Sequence, residues 1–136
     1  MSLLFRFAVG TENSRLESLC TEFNFPVGVI PENFLRFKFD RNFLKGDLVV
    51  YLPGVLDVTY LDGTMLRFEE TISGQFGQGN WSDLKGIKIR MPLFWSDVKS
   101  IYIEEDKPER LNFQAIMTLS KNLEVFEKQR EGVFVG

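Results

Sequence analysis

The sequence predicts an all-β, antiparallel protein: a sandwich or open barrel of about seven strands, with an N-terminal amphipathic helix and a short C-terminal helical segment. Three observations carry that class. Apolar and polar residues alternate with a period of two over most of the chain. Glycine, proline and Asp-Gly signals recur at spacings of about ten residues. No long helical stretch separates the strand-like segments, so parallel crossovers are excluded.

The helix comes first. Leu16, Leu19, Cys20 and Phe23 stand at i, i+3, i+4 and i+7, the spacing of one helical face. Ser14 and Glu17 have the spacing of a capping box, which puts the helix start at Ser14. Asn24-Phe25-Pro26 ends it, because the residue before proline resists the α conformation. Leu35, Phe37 and Phe39 then alternate with Arg36, Lys38 and Asp40. Asp47 to Leu52 is an almost continuous apolar run, as in a strand buried on both faces, and Pro53-Gly54 punctuates it. Val55 to Leu61 and Thr64 to Glu69 flank Asp62-Gly63, a hairpin signal that predicts a type I′ turn. A further strand, Glu70 to Phe76, leads into a flexible glycine connection at Gly77 to Gly79. Ile87, Ile89 and Met91 alternate with Lys88 and Arg90. Trp95 to Glu104 reads as one bulged strand, since Val98 and Ile101 are out of phase. Leu111 to Met117 is the last strand, and residues 121–128 supply the terminal helical segment.

A length of 136 residues fits one domain over 1–136, with enough core to need no covalent staple. Cys20 is the only cysteine, so no intrachain disulfide forms, which favours a reducing compartment. Met1 to Gly10 lacks a basic leader and is interrupted by Arg6; this is a poor signal peptide, and a cytoplasmic location is expected. A net charge of −3 argues against nucleic acid as a partner. No apolar run is long enough for a transmembrane segment.

From Leu16 to about Phe126 the order of motifs resembles a plant family of small uncharacterised proteins that carry the domain of unknown function 538. The residues are Phe25-Pro26-Val27-Gly28-Val29-Ile30-Pro31, Val49-Val50-Tyr51-Leu52-Pro53, Thr71-Ile72-Ser73-Gly74, Leu84-Lys85-Gly86-Ile87-Lys88-Ile89-Arg90 and the pair Phe94-Trp95. The chain departs from the family at its C-terminus, where a glycine-rich, sometimes cysteine-bearing stretch is missing. The resemblance implies a β-rich fold with an N-terminal helix, and links to stress responses and to lipid or pigment binding. It carries over no catalytic residues.

The chemistry is sparse. Histidine is absent, which removes the commonest general base and most zinc sites; no metal or other cofactor is expected. Cys20 lies on the apolar helical face and reads as a small buried hydrophobe rather than a nucleophile. Glu69-Glu70 and Glu104-Glu105-Asp106 sit at strand ends or turns, where solvation keeps both members of any pair ionised. Gly74, Gly77 and Gly79 lack the order and the following helix of a phosphate loop.

Fourteen phenylalanines invite two readings. Those from Phe23 to Phe43 fill a core, which is favoured because interiors are packed, or they line an apolar pocket. Phe37 and Phe39 are the candidate lining. Arg36 and Lys38, with Lys88 and Arg90, form two outward basic rows that make an anion-attracting patch if their strands are neighbours. Trp81 and Trp95 border turns and suit a binding rim. The preferred expectation is a non-enzymatic binding module for a lipid-like or other apolar small molecule, with Phe37, Phe39, Trp81, Trp95, Lys88 and Arg90 as ligand-binding residues. The alternatives are a protein-interaction module with an exposed β edge or aromatic patch, and a carboxylate-based hydrolase.

Overall fold

A computed structural model of the protein describes residues 2–136, with side chains from Thr11 onward. The leader reading of Met1 to Gly10 therefore lies outside the residues whose side chains are described. In chain order the elements are α1 (Ser2–Glu22), a 3-10 turn (Val27–Val29), β1 (Arg36–Asn42), β2 (Lys45–Tyr51), β3 (Leu56–Thr59), β4 (Met65–Gly77), β5 (Asn80–Arg90), β6 (Trp95–Asp97), β7 (Ser100–Glu104), β8 (Lys107–Gln114), β9 (Thr118–Asn122), a second 3-10 turn (Leu123–Phe126) and β10 (Val133–Phe134). All described pairings are antiparallel, within one open sheet of ten strands.

The hairpin of β4 and β5 is the spine. Its path continues on one side to β2 and β1, and on the other to β7, β8 and β9. Each long strand also serves a second neighbour: Met65 to Phe68 of β4 pair with β3, and Lys88 to Arg90 of β5 pair with β6. Register shifts between Phe68 and Ser73, and between Ser73 and Gln75, mark where the spine changes neighbours. Such irregularities bend a strand and raise its twist, which lets one sheet wrap around a core.

That core is continuous. Leu66, Phe68, Ile72 and Phe76 point inward from β4, and Trp81, Ile87 and Ile89 from β5. The face Leu16, Leu19, Cys20 and Phe23 of α1 is buried against it, as its spacing predicts. Phe126 closes the core from the C-terminal segment, its ring tilted against Tyr60 at 4.5 Å between ring centres and against Phe113 at 5.3 Å. The second 3-10 turn is capped by Asn122, whose side chain accepts from the Glu124 N–H.

Several boundaries differ from expectation. Among the described residues there are ten strands rather than about seven: one expected run splits in two, two others merge, and β9 and β10 lie outside the expected strands. The expected strands Thr64 to Glu69 and Glu70 to Phe76 are one strand: Leu66, Phe68, Ile72 and Phe76 keep the same parity through the exposed Glu69-Glu70-Thr71. The glycine connection is a tight turn that starts β5 at Asn80, with Gly77 paired to Asn80. Trp95 to Glu104 divides at Val98-Lys99, where the Lys99 N–H turns to Gln114. Leu111 to Met117 is interrupted by a turn at Ala115 to Met117, so β8 lies earlier and β9 is new. The C-terminal helical segment shrinks to the four-residue 3-10 turn.

Ser14 is not a cap. The helix begins at Ser2, and Ser14 lies exposed in its interior. No proline precedes Pro26, and the upstream leucines, arginine and alanine are good helix formers. The Asp62-Gly63 hairpin forms, but not as a type I′ turn. Tyr60 donates to the Thr64 carbonyl, the Gly63 N–H returns to the Tyr60 carbonyl, and Gly63 has φ +88° while Asp62 is not left-handed. This is a three-residue loop in which glycine alone takes the left-handed position. Among the described residues no helix is long and apolar enough to cross a membrane.

Candidate functional site

Strand β1 is an edge of the sheet, so its second side is free to meet something other than a strand. Its alternation turns Phe37 and Phe39 inward and Arg36, Lys38 and Asp40 outward. Helix α1 lies beside it. Between them runs an open groove of about 760 Å³, bounded by Thr11, Ser14, Arg15, Ser18, Leu19 and Glu22 of α1 and by Phe37 and Phe39 of β1. Three turns of helix separate Thr11 from Glu22, about 16 Å of groove at the usual rise per residue.

The floor is apolar and two guanidinium groups lie beside it. Arg15 lies over the Phe37 ring at 4.8 Å and is held by Glu12 at 2.7 Å. Arg41 grips both carboxylate oxygens of Glu22 at 2.9 and 2.7 Å and lies over the rings of Phe23 and Phe39. Phe39 in turn packs edge-on against Phe23 and Phe76, at 5.6 and 6.2 Å between ring centres. Edge-to-face packing of this kind makes the groove floor an outcrop of the core rather than a loose flap.

The candidate residues do not gather in one place. Phe37 and Phe39 line the groove. Trp81 is fully buried, edge-on to Phe25 and Phe76, and so forms no rim. Trp95 is half-buried at the start of β6, between the guanidinium groups of Arg67 at 4.3 Å and Arg90 at 5.6 Å. The two basic rows are not neighbours, because β2 and β4 separate β1 from β5. Lys88 instead stands between Arg67 and Asp97 in a cross-strand row that Asp57 completes. Arg67 donates to both carboxylate oxygens of Asp57 at 2.8 and 2.9 Å, so that row is partly neutralised.

The core enclosed by the sheet is aromatic and closely packed. Phe23, Phe25, Phe76 and Trp81 interlock there, in line with core packing for most of the Phe23 to Phe43 group, while Phe43 is exposed. Burial, with Glu17 adding to it, pushes the Cys20 thiol up to about 12. A thiol held protonated is a poor nucleophile. Glu69, Glu70, Glu104, Glu105 and Asp106 are all exposed. Among the described residues no three potential ligands converge on a metal position.

Sequence reasoning missed the helical wall of the groove. Thr11, Ser14, Arg15, Ser18 and Glu22 look like an ordinary solvated helix face, and nothing in their types says that an edge strand stops short of them. Arg41 was equally silent, although its place three residues after Lys38, at the end of the same alternating strand, was the one available signal.

Comparison with known proteins agrees with the motif order. The profile of the family described as "Protein of unknown function, DUF538" matches residues 16–127. The chain is 31% identical over 126 residues to the uncharacterized protein At5g01610 of Arabidopsis thaliana, a match that covers 93% of this chain and 71% of the other. The matched span contains Ser18, Leu19, Glu22, Phe37 and Phe39 of the groove and the whole spine, while Thr11, Ser14 and Arg15 lie before it. This chain belongs to the DUF538 family.

Proposed function

We propose that the protein is a non-enzymatic binding module that holds a lipid-like or other apolar small molecule in the groove between α1 and β1. The observation that carries this reading is the groove itself: its volume lies within the range of small-molecule sites, its floor is Phe37, Phe39 and Leu19, and guanidinium groups lie beside it. An amphipathic ligand would lay its chain on the phenylalanines and offer an acidic head to Arg15 in competition with Glu12. The filled interior leaves such a ligand on the surface of the fold rather than inside it. The outer edge of β1 is charged at Arg36, Lys38 and Asp40, which disfavours strand addition by a protein partner.

The test is displacement of a fluorescent fatty acid, together with native mass spectrometry of the protein purified from its own tissue. Ser18→Trp places a large side chain in the groove from an exposed position and should weaken binding at least about tenfold without loss of folding. Equal binding by the parent and Ser18→Trp would exclude the groove.

A further inference from the structure

Three turns meet at the end of the spine opposite the Gly77–Asn80 turn. The loop Leu61 to Gly63 joins β3 to β4, and Pro92 to Phe94 joins β5 to β6; the pairing Leu66 with Ile89 makes these two neighbours. The turn Ala115 to Met117 joins β8 to β9 and is tied to the same end, since the Ile116 N–H donates to Ser96 Oγ at 3.0 Å and Ser96 pairs with Ile89. Each turn projects large apolar side chains into solvent: Leu61 is 82% exposed, Leu93 90% and Ile116 71%, with Met117 and Phe94 also exposed.

Two further features narrow what covers them. Each turn is held by one backbone hydrogen bond: Gly63 N–H to the Tyr60 carbonyl, Met91 N–H to the Phe94 carbonyl, and Ala115 N–H to the Met117 carbonyl. The one acid at these tips, Asp62, accepts from the Thr64 N–H at 2.9 Å. Immediately behind the tips stands Trp95 with the guanidinium groups of Arg67 and Arg90, and Arg90 is exposed with no ion-pair partner among the described residues. Separate apolar prongs can reach the acyl boundary with their side chains while the turn backbones stay at headgroup level, where free donors meet water. An indole beside arginines is the pattern that sits at headgroup level.

We propose that this end of the molecule docks on the surface of an anionic lipid bilayer, with Leu61, Leu93, Phe94, Ile116 and Met117 entering the acyl boundary and Trp95 and Arg90 at the phosphates. The surface is distinct from the α1–β1 groove and does not depend on it. Prongs from three turns suit a deformable lipid phase better than a rigid protein face, and the exposed Arg90 supplies charge complementarity on a chain that is acidic overall.

The experiment is flotation of the full chain with phosphatidylcholine vesicles containing about 30% phosphatidylserine, and with phosphatidylcholine alone, read together with tryptophan fluorescence. Binding should favour the anionic vesicles and shift the emission to the blue, and Trp95→Phe should abolish the shift because Trp81 is already buried. Leu93→Ser/Phe94→Ser should weaken binding at least about tenfold. Arg90→Ala should cost about fivefold on anionic vesicles alone. Phe43→Ser/Leu44→Ser, at the opposite end, should bind as the parent does. Failure to float with either vesicle, or equal binding by Leu93→Ser/Phe94→Ser, overturns the proposal. So does a dimer in light scattering that the same double variant dissolves, since a second copy then covers the surface.

Discussion

Phe43 is exposed at 78% and has φ +63°, two costs at one position. It occupies the first place of the two-residue loop between Asn42 and Lys45, where a left-handed backbone is required and glycine meets the requirement without a Cβ clash. Phe43→Gly should therefore stabilise the protein by about 1 kcal/mol, seen as a higher urea midpoint with an unchanged slope. A lower midpoint would mean that the ring makes a contact worth more than the strain. Alternation around Phe43 was legible in the sequence; its strained backbone was not, because turn type follows from how the two flanking strands twist together.

At the scale of elements, the first 3-10 turn packs tightly against the C-terminal segment at Gly28. A Cβ on Gly28 would overlap the backbone oxygens of Phe126 and Lys128, while the Gly28 carbonyl accepts the Tyr60 hydroxyl at 2.8 Å. Gly28→Ala should cost about 3 kcal/mol, because backbone cannot move aside as a side chain can. Thermal unfolding of the variant measures this, and a loss below about 1 kcal/mol would show that the C-terminal segment is free to lift. The inward face of α1 was readable from the i, i+3, i+4, i+7 spacing of Leu16, Leu19, Cys20 and Phe23. Its true start was not, since the Ser14-Glu17 spacing that imitates a cap occurs inside a longer helix. In the same way Ala115 to Met117 alternates like a strand, yet turns. A local pattern states which sides of a segment differ, and leaves open where a hydrogen-bonding partner runs out.

At the scale of the molecule, two weak acids sit in the filled core. Burial raises the Cys20 thiol to about 12 from 9.0 and raises the Tyr60 phenol above its ordinary 10.0, the latter despite the opposing charge of Arg130. In both cases the folded chain keeps a proton that the unfolded chain releases, so their contribution is complete below about pH 9 and is lost as pH rises toward 12. Stability should thus fall across that alkaline window, and Cys20→Ala should flatten the fall between about pH 9 and 10. An alkaline slope identical in the variant would place the titrating group elsewhere. Two-fold alternation and turn residues at short intervals were enough to determine, by sequence alone, an antiparallel β-rich protein with Phe-rich packing, and the order of its motifs was enough to point to its family. Only the tertiary structure decided that Phe37 and Phe39 floor a groove against α1, that β2 and β4 keep the two basic rows apart, and that three distant turns bring Leu61, Leu93 and Ile116 to one end. Alternation is a property of neighbours along the chain, whereas a site is made where the sheet's strand order and bends place residues that are remote in sequence.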